Sequence, residues 1–535
     1  MNRNEILSKI DELSKCKNFL EILGLLVAKN INGKVKDIGY EDYKRLLSYK
    51  EISHLSGFYL KNRNNKSNTE LDTESTADQI HKLMDSLHFT FFSNDEKSFD
   101  PSKIEREMLL HETIFYSGGD AHDFQFVELA RYKYQNDRGW IKKHKGFDIY
   151  NAYDNYMVIR SLMDFIMNIR HQHANPSNVL TLNKDNPIFK RNPDIKQLIE
   201  AFAIQENEVV NEFFFNIGDY NEFLVRPIFI IDNYYVILMP YQLAEAVFNN
   251  PFYWMNKDKI YSSKALKNRG GMAENMVFQM LTEKYGDRYI FKNVLLKKNS
   301  TTTISDIDIL MLFEEIAVIF QVKSKRLTEN SKKGDLKSIK IDFEKAIKAA
   351  HKQALTCKEA IRKKEYNSNS SKNLPDLKNV KEVYSICLLL DEYPGKTSHV
   401  RIIMEGEPDK PIVISAFDLD IILRHLPTKV DFTKYLIFRY KNRDRLVAAS
   451  ERAFLGGYLF NGDEINNNIN DRPIILDEDH SQYFDRLMFG KHLAENRSKF
   501  LEALKDIERN DRCFCESGLK YKKCCMQNFD GRLSP

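Results

Sequence analysis

Ser305-Asp306-Ile307-Asp308-Ile309-Leu310, then Ile319-Phe320-Gln321-Val322-Lys323-Ser324-Lys325: these two apolar runs, separated by Glu314-Glu315, carry polar groups at alternate positions. Side chains two apart on a strand share a face. Asp306 and Asp308 therefore lie together on one side, with Ile307 and Ile309 on the other. Gln321, Lys323 and Lys325 share a face of the second strand, opposite Phe320 and Val322. A hairpin turning at Glu314-Glu315 sets Asp308 across from Gln321 and Asp306 across from Lys323. Strands this apolar have little reason to bury carboxylates, an amide and an ammonium unless the groups bind something. Hard oxygen ligands suit Mg2+ or Mn2+. A neighbouring lysine suits charge developing on a phosphoryl group.

Upstream, Met272–Tyr285 has helical spacing, with Ala273, Met276, Val277, Met280 and Leu281 on one side and Glu274 in its first turn. Downstream, residues 321–365 hold 14 Lys and Arg against 6 Asp and Glu, an excess of +8 on a chain of net charge +4. The rest of the chain is therefore acidic. A basic belt on a near-neutral protein favours a phosphate backbone, although solvated helix faces are often built the same way.

The set Glu274, Asp308, Gln321, Lys323, with Asp306 as an extra acid, resembles the PD-(D/E)XK nuclease superfamily in its Mrr-like, restriction-endonuclease-like branch. The resemblance covers residues 270–353, with looser support to residue 426. It implies a mixed sheet flanked by helices and metal-dependent hydrolysis of a phosphodiester, DNA being the substrate of that branch. It further implies that Asp308 binds Mg2+ or Mn2+ and that Gln321, or the carbonyl of Val322, completes the site. Lys323 would position the attacking water and stabilise the transition state. Glu274 would supply a second acidic ligand, and Gln353 on the next helix would assist. Gln321 stands where most of that superfamily has Asp or Glu, which removes one negative charge from the site.

Near the end of the chain, Cys513-Phe514-Cys515-Glu516-Ser517-Gly518 is followed by Leu519-Lys520-Tyr521-Lys522-Lys523-Cys524-Cys525. Four thiolates fill a tetrahedral zinc shell with no open position, and so short a segment would fold only around its metal. The pattern resembles the SEC-C motif, with both cysteine pairs, Ser-Gly and the preceding lysine in place. Phe514 and Glu516 replace residues that are more often Pro and Gly. The expectation is Zn2+ on Cys513, Cys515, Cys524 and Cys525, in a tail that docks nucleic acid or a partner protein.

The whole chain has 535 residues, 42% apolar and 29% charged, with 35 Phe and 26 Tyr to fill cores. Its 7 cysteines are too few for a disulfide scaffold. No long uncharged apolar run suggests a membrane span, and the first residues lack a signal peptide's apolar centre, so a cytoplasmic location is expected. The fold class expected is α/β. Residues 1–180 read as mainly helical, 181–262 as an α+β connection with a hairpin turning at Asp232-Asn233, and 263–460 as the nuclease-like domain. Residues 461–507 read as a helical linker and 508–530 as the zinc motif. Residues 367–373 read as a mobile loop and 400–404 as a strand. The aromatic stretch 115–148 reads as core, and His111, His122, His171 and His173 lack metal spacing. The rival reading is a non-catalytic nucleic-acid-binding or adaptor protein that docks a partner through its zinc tail.

Overall fold

A run such as Ile-Ala-Val-Ile-Phe at residues 316–320 offers water no polar face, so it belongs in a sheet covered on both sides. The structure, a computed structural model, bears this out. It describes residues 1–33, 47–91, 114–115, 121–173, 181–391, 393, 395–448, 450–467, 473–476 and 479–529. The described residues divide into two units, one from 1–99, 122–265 and 491–535, the other from 100–121 and 266–490.

The first unit is mainly helical before residue 174, from Arg3–Leu13 to Ala152–His173. Asn2 and Ser48 open two of its helices with reciprocal capping boxes. Phe124, Phe126, Tyr134 and Trp140 are buried, as expected of core rings; Tyr116 and His111 lie outside the described residues. A small sheet follows, made of β1 (Thr181–Asn183), β2 (Ala203–Ile204), β3 (Ile228–Ile231) and β4 (Tyr234–Ile237) in the order β1-β4-β3-β2. The β3–β4 hairpin turns at Asp232-Asn233, with Asp232 left-handed at φ 49°. The cysteine segment falls within this same unit.

The second unit is built on β5 (Ile290–Lys297), β6 (Thr303–Phe313), β7 (Ile316–Lys323), β8 (Glu382–Leu389) and β9 (Ile412–Ser415), in that order across the sheet. The β5–β6 and β6–β7 pairs are antiparallel, and β7–β8 and β8–β9 are parallel. The helix Ala349–Lys363 covers one face, where Ala354 and Cys357 pack with Ala317 and Ile319. It continues the helix Leu336–Phe343 through a π-helical turn, Glu344–Lys348. On the other face Phe320 stacks near Phe432, and the helix Met272–Tyr285 packs on β5 and β7. This is the α/β mixed sheet flanked by helices that the sequence predicts.

Three expectations change. Residues 400–404 belong not to a strand but to the end of the helix Lys396–Ile403, because Val400 and Ile403, one turn apart, pack on the core beside Phe343 and Leu389. Residues 367–373 do not hang free: Lys372 and Leu295 exchange both main-chain hydrogen bonds, and Asn367 N–H donates to Lys297 O. The linker keeps helix over 461–467, past a non-helical Asn461, but is not helical throughout, since it contains the short strand Ile474–Leu476. Among the described residues no helix is long and apolar enough to cross a membrane.

Candidate active site

The β6–β7 turn is tight, with Glu314 left-handed at φ 52°. Pairing runs from Phe313↔Ile316 to Ile309↔Phe320, the register expected, and stops there. At the next step a side chain takes over the role of the ladder: Val322 N–H donates to Asp308 Oδ2 at 2.7 Å. The β5 side is irregular at the same level. Pairs step from Lys292↔Ile309 to Val294↔Ile307 around Asn293, whose φ is 54°. Ile307 and Leu310, three apart, then both pack against the Ala349–Lys363 helix. Strict alternation thus fails at Asp308, and Ile307 does not keep to the face of Ile309.

Around this break the polar groups converge. Lys323 Nζ lies 3.8 Å from Asp308 Oδ2 and donates to Gln353 Oε1 at 3.4 Å. Gln353 Nε2 donates to Asp306 Oδ1 at 2.7 Å, which ties Asp306 to Lys323 through one amide. Gln321 is fully buried; its Nε2 donates to Asp306 O at 2.8 Å, while its Oε1 has no hydrogen-bond partner. Cys357 Sγ also reaches Asp306 O, at 3.4 Å. Glu274, half-buried in the first turn of its helix, is close enough for its charge to act on Asp308. Burial pushes the Asp308 carboxyl up to about 6; Lys323 and the Val322 N–H pull it down, and Glu274 and Asp306 push it up again. The oxygens of Glu274, Asp306 and Asp308 do not all lie within 4.8 Å of one another; Lys323 is the positive group beside them.

Lys325 departs from the expected face. β7 ends at Lys323, and Lys325 Nζ instead pairs with Asp342 Oδ1 at 3.1 Å. Asp342 Oδ2 also accepts from Thr328 N, Thr328 Oγ1 and Ser331 Oγ, which fixes the loop after β7. Arg326 holds Asp391 with two hydrogen bonds of 2.8 and 2.7 Å, tying that loop to the end of β8. Sequence reading misses both anchors, because Asp391 lies 65 positions from Arg326 and nothing local marks it.

The cysteines meet a different geometric standard. The Sγ atoms of Cys513, Cys515, Cys524 and Cys525 all lie within 4.8 Å of one another. Cys513–Cys515, Cys515–Cys524 and Cys524–Cys525 stand at 3.4, 3.5 and 3.9 Å. A tetrahedron of thiolates about 2.3 Å from zinc has edges of about 3.8 Å, so the set fits that ion. No other such group of His, Cys, Asp and Glu occurs among the described residues.

Residues 269–389 match the family model of the nuclease-related domain, NERD. Residues 509–527 match that of the SEC-C motif. No curated protein and no solved structure matches the chain. The nuclease-related domain contains Glu274, Asp306, Asp308, Gln321, Lys323 and Gln353, and its limits agree with the likeness to PD-(D/E)XK nucleases read from the sequence. A nuclease-related domain suggests a nucleic-acid ligand, and the SEC-C match agrees with a zinc-fitting cysteine set.

Proposed function

We propose that the second unit is a Mg2+- or Mn2+-dependent phosphodiester hydrolase, a cytoplasmic DNA endonuclease of restriction, anti-phage defence or repair. The observation that carries this reading is Asp308: a carboxylate buried where β6 leaves its ladder, 3.8 Å from Lys323 Nζ, within the nuclease-related domain. Asp308, Glu274 and either Gln321 Oε1 or the carbonyl of Val322 would supply the oxygens that hold the cation, with Asp306 as a further acid beside them. Buried Gln321 Oε1, without a partner, is the kind of donor such an ion satisfies. A bound divalent cation supplies Lewis acidity and a more acidic water. Lys323, with 28% of its side chain exposed, presents its ammonium to an incoming phosphate and offsets charge in the transition state. Gln353 aims that lysine by accepting from Nζ. Exposed Lys345 and Lys352 on the following helix supply backbone contacts.

Supercoiled plasmid and single-stranded RNA, each incubated with Mg2+ or Mn2+, test the reading, with Lys323→Ala as control. DNA cleavage is expected, and the variant should lose about 10²–10³ in rate while melting as wild type does. Cleavage that is undiminished in the variant refutes the assignment. Binding without cleavage of either substrate favours the rival, a non-catalytic binder, which the neutral and hydrogen-bonded Gln321 supports.

A further inference from the structure

Glu516 occupies a backbone conformation that does not suit it. Its φ is 63°, in the left-handed region where a Cβ is strained and glycine is not. Such strain persists where the surroundings over-determine it. Here its carboxylate is engaged twice: Asn183 N–H donates to Glu516 Oε1 at 3.0 Å and Asn186 Nδ2 at 2.6 Å. The same Nδ2 donates to Phe514 O at 2.9 Å. Asn183 is the last residue of β1, and Asn186 Oδ1 caps the helix Pro187–Arg191 by accepting from Ile188 N. Phe514, between the first two cysteines, is fully buried, its ring 5.2 Å from that of Phe165 and 5.9 Å from those of Phe500 and Tyr521. Arg191 pairs with Glu508 at 3.0 Å just before the motif. The two side chains interleaved with the first ligands are therefore both committed to the chain's own first unit.

We propose that the cysteine motif is a metal-locked clasp on the N-terminal unit: zinc on Cys513, Cys515, Cys524 and Cys525 holds Phe514 and Glu516 in place, and these hold the end of β1 and the Pro187–Arg191 helix. Ligation and docking then form together, since the segment has little core besides its ligands and the Phe514 ring. Coupling of this kind is reciprocal: docking raises zinc affinity by the factor by which zinc stabilises the dock.

The test uses the full chain, loaded with zinc or stripped by a thiol-selective chelator, with zinc content measured by elemental analysis. Amide hydrogen exchange is followed at Asn183 and through residues 183–191. Stripping should accelerate exchange there by at least about fivefold, the lower end of ordinary coupling. Glu516→Gly, which relaxes the backbone and keeps all four cysteines, should accelerate exchange at Asn183 with zinc bound. It should also weaken zinc in competition with a chromophoric chelator by a similar factor. Phe514→Leu, which keeps the site apolar, should do both more mildly. The proposal is overturned if the purified chain takes up no zinc, or if the stripped chain exchanges like the loaded one. It is equally overturned if Glu516→Gly binds zinc with wild-type affinity and keeps Asn183 protected. None of these readouts depends on nuclease activity.

Discussion

Asp308 is the residue on which the site's energetics turn. Its carboxyl lies near 6 when folded, against an ordinary 3.8, because burial disfavours the charge. In the metal-free protein the folded state therefore holds the proton more tightly than the unfolded chain. That contribution to stability is complete below about pH 4 and is lost as the pH rises through about 6; the difference is roughly 3 kcal/mol. Asp308→Asn removes the charge and keeps the size. The metal-free variant should melt above wild type at pH 8 and close to it at pH 4, checked by thermal unfolding at both. The same substitution should cut cleavage by about 10²–10³. Equal melting at pH 8 would show that burial of this charge costs the fold little. Because the carboxylate must lose its proton to take a cation, Mn2+ affinity measured by titration should climb from pH 5 to pH 7.

At the scale of elements, the proposed function assigns the holding of substrate to the basic helix after β7. Lys337, Lys340, Lys345 and Lys352 are exposed along Leu336–Lys363. Lys345→Glu with Lys352→Glu should weaken binding to unrelated DNA sequences alike. It should also flatten the slope of log affinity against log salt by about 2, near 0.9 for each phosphate no longer neutralised. An unchanged slope makes the belt a solvated face. This helix and the two strands before it are legible in the sequence, because burial on both faces leaves β7 an unbroken apolar run and Gln321 and Lys323 stand out within it. The hairpin register is legible too, since a turn at Glu314-Glu315 fixes it. The break at Asp308 is not: it depends on left-handed Asn293 on a neighbouring strand and on a side chain bonding Val322 N–H. The same holds for Lys325, whose partner Asp342 is a tertiary neighbour. Val400–Ile403 reads as a strand because its β-branched residues fit either period, and packing on the core selects the helix.

For the whole molecule, the zinc-fitting cysteines and the cation site proposed at Asp308 belong to different units, the cysteines to the first and Asp308 to the second. Replacing Cys513 and Cys524 by Ser should abolish zinc binding by elemental analysis and leave Mg2+-dependent cleavage per folded molecule intact. Loss of both together would join the sites functionally. The sheet of the second unit ends at β5, and residues 367–372 lie along that end, with Lys372 and Leu295 sharing their main-chain hydrogen bonds. An open strand edge is a template for another chain. The polar strap takes up those donors and acceptors first and sets a lysine where a second sheet would approach. A chain lacking residues 367–373 should therefore grow in apparent mass with concentration in sedimentation, while the intact protein does not. A tract that reads as filler would then be what keeps crowded copies from joining edge to edge.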